Sequence, residues 1–167
     1  GLFADALLES GLSKKYSEHT NGMALALKIA NADQGKSIVE KILADDPNLF
    51  IKRSTGMTIV TPALSYFLHQ GIAYYGDVDD SFDLLRKRFD HMLAPQHNGT
   101  LWEEWWLNGT GRSGKFDPRQ TRSDAQTESA FIPALFAEFL LGIQASKPGM
   151  KEMSIELPQT KIKKISS

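Results

Sequence analysis

Apolar residues return at helical spacing along most of the chain. Leu2 to Glu9 reads as a short amphipathic helix ending near Gly11, and Ser17 to Ala30 as a second, with Met23, Leu27 and Ala30 on one side. A third carries Ile38, Val39, Ile42 and Leu43 and ends before Pro47. The fourth starts at Thr61-Pro62, an N-cap followed by a proline suited to the first turn. Its apolar side is Ala63, Leu64, Phe67, Leu68 and Ile72, and Gly76 ends it. In the fifth, Phe82, Leu85, Phe89 and Met92 share a face, and Pro95 follows. The sixth holds Phe131, Ile132, Leu135, Phe136, Phe139, Leu140 and Ile143, a stripe wide enough to predict near-complete burial. After Gly149 the pattern changes to alternation over Met153–Leu157, which predicts one β-strand whose partners are not evident in the chain.

The predicted class is therefore mainly α, with about six helices and a short C-terminal β segment. Two long connections, Asp46 to Thr58 and Gln96 to Asp124, interrupt the helices, and loops of this length are often functional. The second contains Trp102-Glu-Glu-Trp-Trp106, with all three tryptophans of the chain, between Asn98-Gly-Thr100 and Asn108-Gly-Thr110 turns. Indole faces beside carboxylates suit a sugar site, because the apolar face of a pyranose packs on an aromatic ring and a carboxyl group can serve as acid or base. Tryptophans are equally ordinary core fillers. Glu103 and Glu104 are neighbours, whereas the paired carboxylates of a glycosidase flank the sugar from opposite sides, roughly 5 to 9.5 Å apart. At most one of the two belongs to such a pair.

Composition adds mainly exclusions. The 167 residues are 41% apolar and 23% charged, as in a globular domain, and the net charge of -1 comes without a basic stripe for nucleic acid. Cysteine is absent, so thiolate chemistry and disulfides are excluded, and His69, His91 and His97 have no metal-ligand spacing. No metal or cofactor is expected. No apolar run reaches the roughly 18 residues of a membrane span. The N-terminus lacks the basic start of a signal peptide and reads as the middle of a helix, so the chain is expected to begin inside a larger fold. The compartment stays unknown.

Two further polar clusters carry candidate roles. Ser17-Glu-His-Thr-Asn21 opens a helix: its simplest role is capping plus a carboxylate near the helix dipole, and its functional role would be to bind sugar hydroxyls through Glu18 and His19. Arg119-Gln-Thr-Arg-Ser-Asp124 could clamp an anion, or neutralise nearby carboxylates, with Ser123-Asp-Ala-Gln126 as a capping box. The basic Lys161-Ile-Lys-Lys164 reads as a solvated tail.

Taken in order, these segments resemble a family. Thr100-Leu-Trp-Glu-Glu-Trp105 is similar to the Thr-x-x-Trp-Glu-x-Trp segment of bacterial α-L-rhamnosidases, inverting glycosidases with an (α/α)6 six-hairpin barrel. Gln120-Thr-Arg-Ser-Asp-Ala-Gln126 resembles the start of their last barrel helix. Leu141-Gly-Ile143, Lys147-Pro-Gly-Met150 and the strand ending in Leu157-Pro158 resemble the exit from the barrel into a β-domain. Ser17-Glu-His-Thr-Asn21 and Ser54-Thr-Gly56 look like upstream family segments. The resemblance covers most of residues 1 to 158.

It implies a partial (α/α)6 barrel over residues 1–145 and a barrel exit with the start or remnant of a β-domain over 146–167. Glu103 would be the general base that activates water, and Trp102, Trp105, Glu18, His19 and Gln126 would bind a rhamnose-containing glycoside. The family's general acid would lie upstream of Gly1, so that the chain alone hydrolyses poorly. Two positions depart from the family: its histidine is Gln126 here and its tryptophan is Glu128. Two other readings stay open, a non-catalytic sugar-binding or pseudoenzyme module and a helical interaction domain. An exposed half-barrel would leave apolar helix faces such as Phe131 to Ile143 uncovered, which predicts self-association or pairing with a missing half-barrel.

Overall fold

The computed structural model describes residues 1–44, 56–93, 99–105 and 125–164. The expected helix at Leu2–Glu9 is instead a small antiparallel hairpin, β1 (Leu7–Leu8) and β2 (Gly11–Leu12), turned at Glu9-Ser10, with Gly11 just after the turn at φ +111°. A stretch of so few residues cannot nucleate a helix by itself, and Asn21 holds its start extended, accepting from the Phe3 N–H (2.9 Å) and donating to the Phe3 carbonyl (3.1 Å). Its leucines stay in solvent: Leu7 is 79% and Leu12 74% exposed.

Two short parallel strands, β3 (Tyr16–Ser17) and β4 (Met57–Thr58), each lead into a helical segment, so part of the first long connection is paired. Ser17 caps α1 (Glu18–Ala26) by accepting from the Thr20 N–H. The helix stops at Lys28, which takes φ +56° while its ammonium lies 4.0 Å over the Tyr74 ring. The buried face of α1 is not the expected one. Glu18, Asn21, Gly22, Ala24 and Leu25 point inward, whereas Met23 and Leu27 are exposed; of the expected stripe only Ala30 is buried, beyond the helix end.

The next helix, α2 (Ala32–Leu43), opens with a capping box between Asn31 and Gln34 and buries Ile38, Val39 and Ile42 as the spacing predicts. Thr61 makes no side-chain cap. Pro62–Leu64 is a turn of 3-10 helix, held by the Ser65 hydroxyl on the Pro62 carbonyl (2.7 Å), and α3 (Ser65–Tyr75) continues from it to Gly76. Asp77 caps α4 (Val78–Phe89), which a 3-10 turn extends over Asp90–Leu93; Phe82, Leu85, Phe89 and Met92 are all buried.

The last helix, α5 (Ile132–Phe139), is shorter than its apolar stripe and far from completely buried. Leu135 is its buried member and Phe136 is 43% exposed. Ile143 leaves it for β5 (Ile143–Ala145), which pairs antiparallel with β6 (Met153–Ile155). The alternating strand therefore finds its partner in Ile143, the last member of the sixth helical stripe, and the residues that follow it.

Contacts fix the helix directions. Gly22 lies against Leu68 (3.2 Å from an added Cβ to Leu68 Cα) and Gly71 against Leu25, so α1 and α3 run side by side in the same direction. Ser81 meets His69 while Arg88 reaches back to Glu18, which makes α4 antiparallel to both. Phe131 packs on Phe89 and Phe136 on Phe82, so α5 runs antiparallel to α4 and with α1 and α3. Tyr66 and Gln70 of α3 donate to Glu138 of α5 at 3.0 and 3.2 Å. The N-terminal ends of α1, α3 and α5 consequently share one end of the array, above two apolar clusters. One gathers Leu25, Ile38, Ile42, Val60, Leu68 and Ile72; the other gathers Phe89, Met92, Trp102, Trp105, Phe131 and Leu135.

Candidate functional site

Residues 99–105 lie at that shared end and are tied down from several elements. The Leu101 carbonyl accepts from the Gln126 N–H (2.8 Å), and the Trp102 carbonyl from the Ser129 hydroxyl (2.7 Å). Trp105 Nε1 donates to the Val60 carbonyl (2.7 Å), and its ring stands edge-on to Phe89 at 5.0 Å. Trp102 and Trp105 are 2% and 4% exposed. Both indoles, expected to bind sugar, sit in the structure as buried anchors of the segment. Glu104 is buried as well, whereas Glu103 keeps partial access to solvent. Trp106, Arg119, Arg122 and Ser123 lie outside the described residues.

Under this segment is a buried ion pair. Arg88 donates to both carboxylate oxygens of Glu18 at 2.7 and 2.8 Å, and both side chains are fully buried. Glu18 also accepts from the Val60 N–H (3.0 Å). Its carboxylate, expected to meet sugar hydroxyls, is directed in the structure onto Arg88 and the Val60 N–H. Val60 uses both backbone groups, its N–H on Glu18 and its carbonyl on Trp105. The end of α4, the start of α1, the entry to α3 and the Trp-Glu segment are thereby joined.

His19 accepts from the Thr61 N–H at Nε2 (3.4 Å) and keeps partial access, lining a shallow groove of about 490 Å³ with Phe3, Thr20 and Met23. Burial lowers its pKa, against the opposing pull of Glu18 and Asp5. Gln126 is half-buried, and its side chain donates to Glu128 (2.5 Å). Of the six expected site residues, Glu103, His19 and Gln126 therefore keep access at one end of the array, and Glu18, Trp102 and Trp105 form the framework beneath.

His69, expected to be an ordinary helix residue, is fully buried in α3. Its Nδ1 is 3.1 Å from Ser81 Oγ, whose hydroxyl donates to the His69 carbonyl (3.2 Å), assigning the ring proton to Nδ1. Burial, reinforced by Arg88, pushes its pKa down to about 3, so the ring is neutral. Its Nε2 and Arg88 Nε are buried without a protein partner. The helical spacing gives one usable sign of this layer: Arg88 falls three residues after Leu85 and four after Leu84, on the buried face of α4, where an arginine needs a carboxylate.

Among the described residues, no cluster of His, Asp or Glu could hold a metal ion, and no helix is long and apolar enough to cross a membrane. The sequence matches no protein-family model, and no curated protein is significantly similar to it.

Proposed function

We propose that the chain carries the general-base side of an inverting glycosidase site of the α-L-rhamnosidase type, with Glu103 as the base, within a partial (α/α)6 barrel. The supporting observation is the setting of Glu103. It sits between two indoles locked into the interior and keeps solvent access at the shared N-terminal end of α1, α3 and α5. A carboxylate carried on a backbone anchored at both sides loses less entropy in orienting a water than one on a loose loop, which favours a general base. The shared direction of α1, α3 and α5, with α4 running the opposite way, also supports this reading. His19 and Gln126 are the polar groups placed to meet sugar hydroxyls. The general acid would come from a further segment or partner.

The test exploits leaving-group chemistry. Fluoride departs without much acid assistance, so a site that has a base and lacks an acid should still hydrolyse α-L-rhamnosyl fluoride while leaving alkyl rhamnosides intact. Fluoride release with formation of the inverted anomer is expected, falling roughly 10²- to 10⁴-fold in Glu103→Gln. Equal rates in the two proteins would remove Glu103 from the chemistry.

The burial of Trp102, Trp105 and Glu18 favours a second reading, a helical interaction domain in which the Trp-Glu segment only packs. Absence of fluoride release, together with absence of any change in tryptophan fluorescence on adding rhamnose, would support it.

A further inference from the structure

On the far side of α4, the C-terminal strap 158–164 follows the helix. The Thr160 hydroxyl and the Lys161 N–H donate to Asp79 at 2.5 and 2.8 Å, and the Ile162 N–H turns back onto Thr160 Oγ1 (3.2 Å). These bonds hold the Asp79 carboxyl below the usual carboxylate range. Beyond the latch, the strap walls a groove of about 390 Å³, floored and flanked by Phe82, Leu85, Phe136, Leu140, Leu141 and Ile162. Phe82 and Phe136 lie 5.4 Å apart at 34° and form an aromatic floor, and Phe136 and Leu141 are left more than two-fifths exposed. The rim carries two cations, Arg86 and Lys164. Arg86 faces Asp83 at 3.6 Å, with both side chains about two-thirds exposed, so water screens that pair and leaves the guanidinium available. The sequence pattern predicts near-complete burial for this stripe, which does not hold here, whereas Lys161, Lys163 and Lys164 are exposed as a solvated tail should be.

We propose that this groove binds a single-chain anionic amphiphile, a medium-chain alkyl carboxylate, with its chain on the Phe82–Phe136 floor and its head group between Arg86 and Lys164. The volume lies within the range of small-ligand sites, and such sites pair an apolar lining with a few placed polar groups. The two rim charges select an anion over a neutral or cationic head group. The inference is independent of the sugar reading, because the groove lies on α4, α5 and the strap and includes none of Glu103, His19 or Gln126.

The experiment titrates the full chain with decanoate, decanol and decyltrimethylammonium, followed by amide chemical shifts. Decanoate should shift the amides of 82–86, 136–141 and 160–164 in a saturable way and bind about tenfold more tightly than decanol. The double variant Arg86→Glu/Lys164→Glu, with its thermal melt checked against the parent, should lose that preference and gain one for the cationic amphiphile. Equal affinity for all three head groups overturns the proposal. So does a decanoate response that maps elsewhere, binding to phosphatidylglycerol vesicles without binding of the monomer, or concentration-dependent shifts of the same amides without ligand, which would make a second copy the occupant.

Discussion

Replacing Arg88 with Met tests the buried pair most directly. The change keeps an unbranched apolar stem of similar course and removes the guanidinium, so Glu18 loses two charge-assisted hydrogen bonds of 2.7 and 2.8 Å and keeps the one from the Val60 N–H (3.0 Å). Both side chains are fully buried, so no water enters the pair to screen or replace the lost donor. Removing one partner of such a pair costs about 3–5 kcal/mol, a large share of the roughly 5–15 kcal/mol that stabilises a domain. Urea unfolding followed by circular dichroism measures it. The companion Glu18→Gln/Arg88→Met removes the stranded charge yet keeps an acceptor for the Val60 N–H. It should recover at least half of the loss, giving a coupling of about 2 kcal/mol in the cycle. A loss below about 1 kcal/mol in Arg88→Met, or no recovery in the double variant, would refute the argument that the pair binds α1 to α4 through a desolvated interior.

Three other expectations follow from the packing. His69 protonates at about pH 3 when folded and near 6.5 when unfolded, so between those values the unfolded chain binds the extra proton and stability falls as pH falls. From pH 6.5 to 4.5 this contributes a loss of about 2 kcal/mol in the parent, and paired urea titrations should find that component missing from His69→Leu. In Gly71→Ala the added methyl group meets the Leu25 side chain where α1 and α3 cross, so unfolding should occur about 1–3 kcal/mol more easily; an unchanged midpoint would show that the crossing can spread. The exposed apolar groups Leu27 and Ile29 beside α1 and Leu157 after β6 predict self-association at micromolar concentration, and a monomer throughout a sedimentation series would contradict it.

How far the sequence revealed the fold depended on which residues fill the interior. In α2 and α4 the large residues of the buried faces are mostly Ile, Val, Leu and Phe, so apolar spacing located both the helix and its inward side, although it gave no sign of what Ser81 and Arg88 do there. In α1 the inward side is Glu18, Asn21, Gly22, Ala24 and Leu25, because a charge pair and a close helix crossing occupy the space. Any rule that follows large apolar groups then selects Met23 and Leu27 on the wrong side. The ribbon of β5 and β6 was half legible: alternation marked Met153–Ile155, but Ile143 continues the helical stripe of α5 and so concealed the partner strand. At the candidate site, residue types placed Glu103, Glu104 and the tryptophans in one segment. Only tertiary packing distinguishes an indole that can meet a ligand from one that anchors the backbone, and sequence spacing carries no such information. Arg88 and Glu18, separated by 70 positions, are a non-local pair of the same kind.

The doubly used peptide of Val60 has a kinetic consequence. Its amide proton can reach solvent only if the Glu18 carboxylate lets go, and that carboxylate is clamped by the last turn of α4. Opening at Val60 therefore requires the start of α1, the end of α4 and the Trp105 segment to separate together, so this amide should exchange at the rate set by global unfolding. The β1–β2 hairpin, whose leucines are already in water, should exchange through small local openings instead. The molecule would then breathe at its first hairpin and remain closed beneath Glu103.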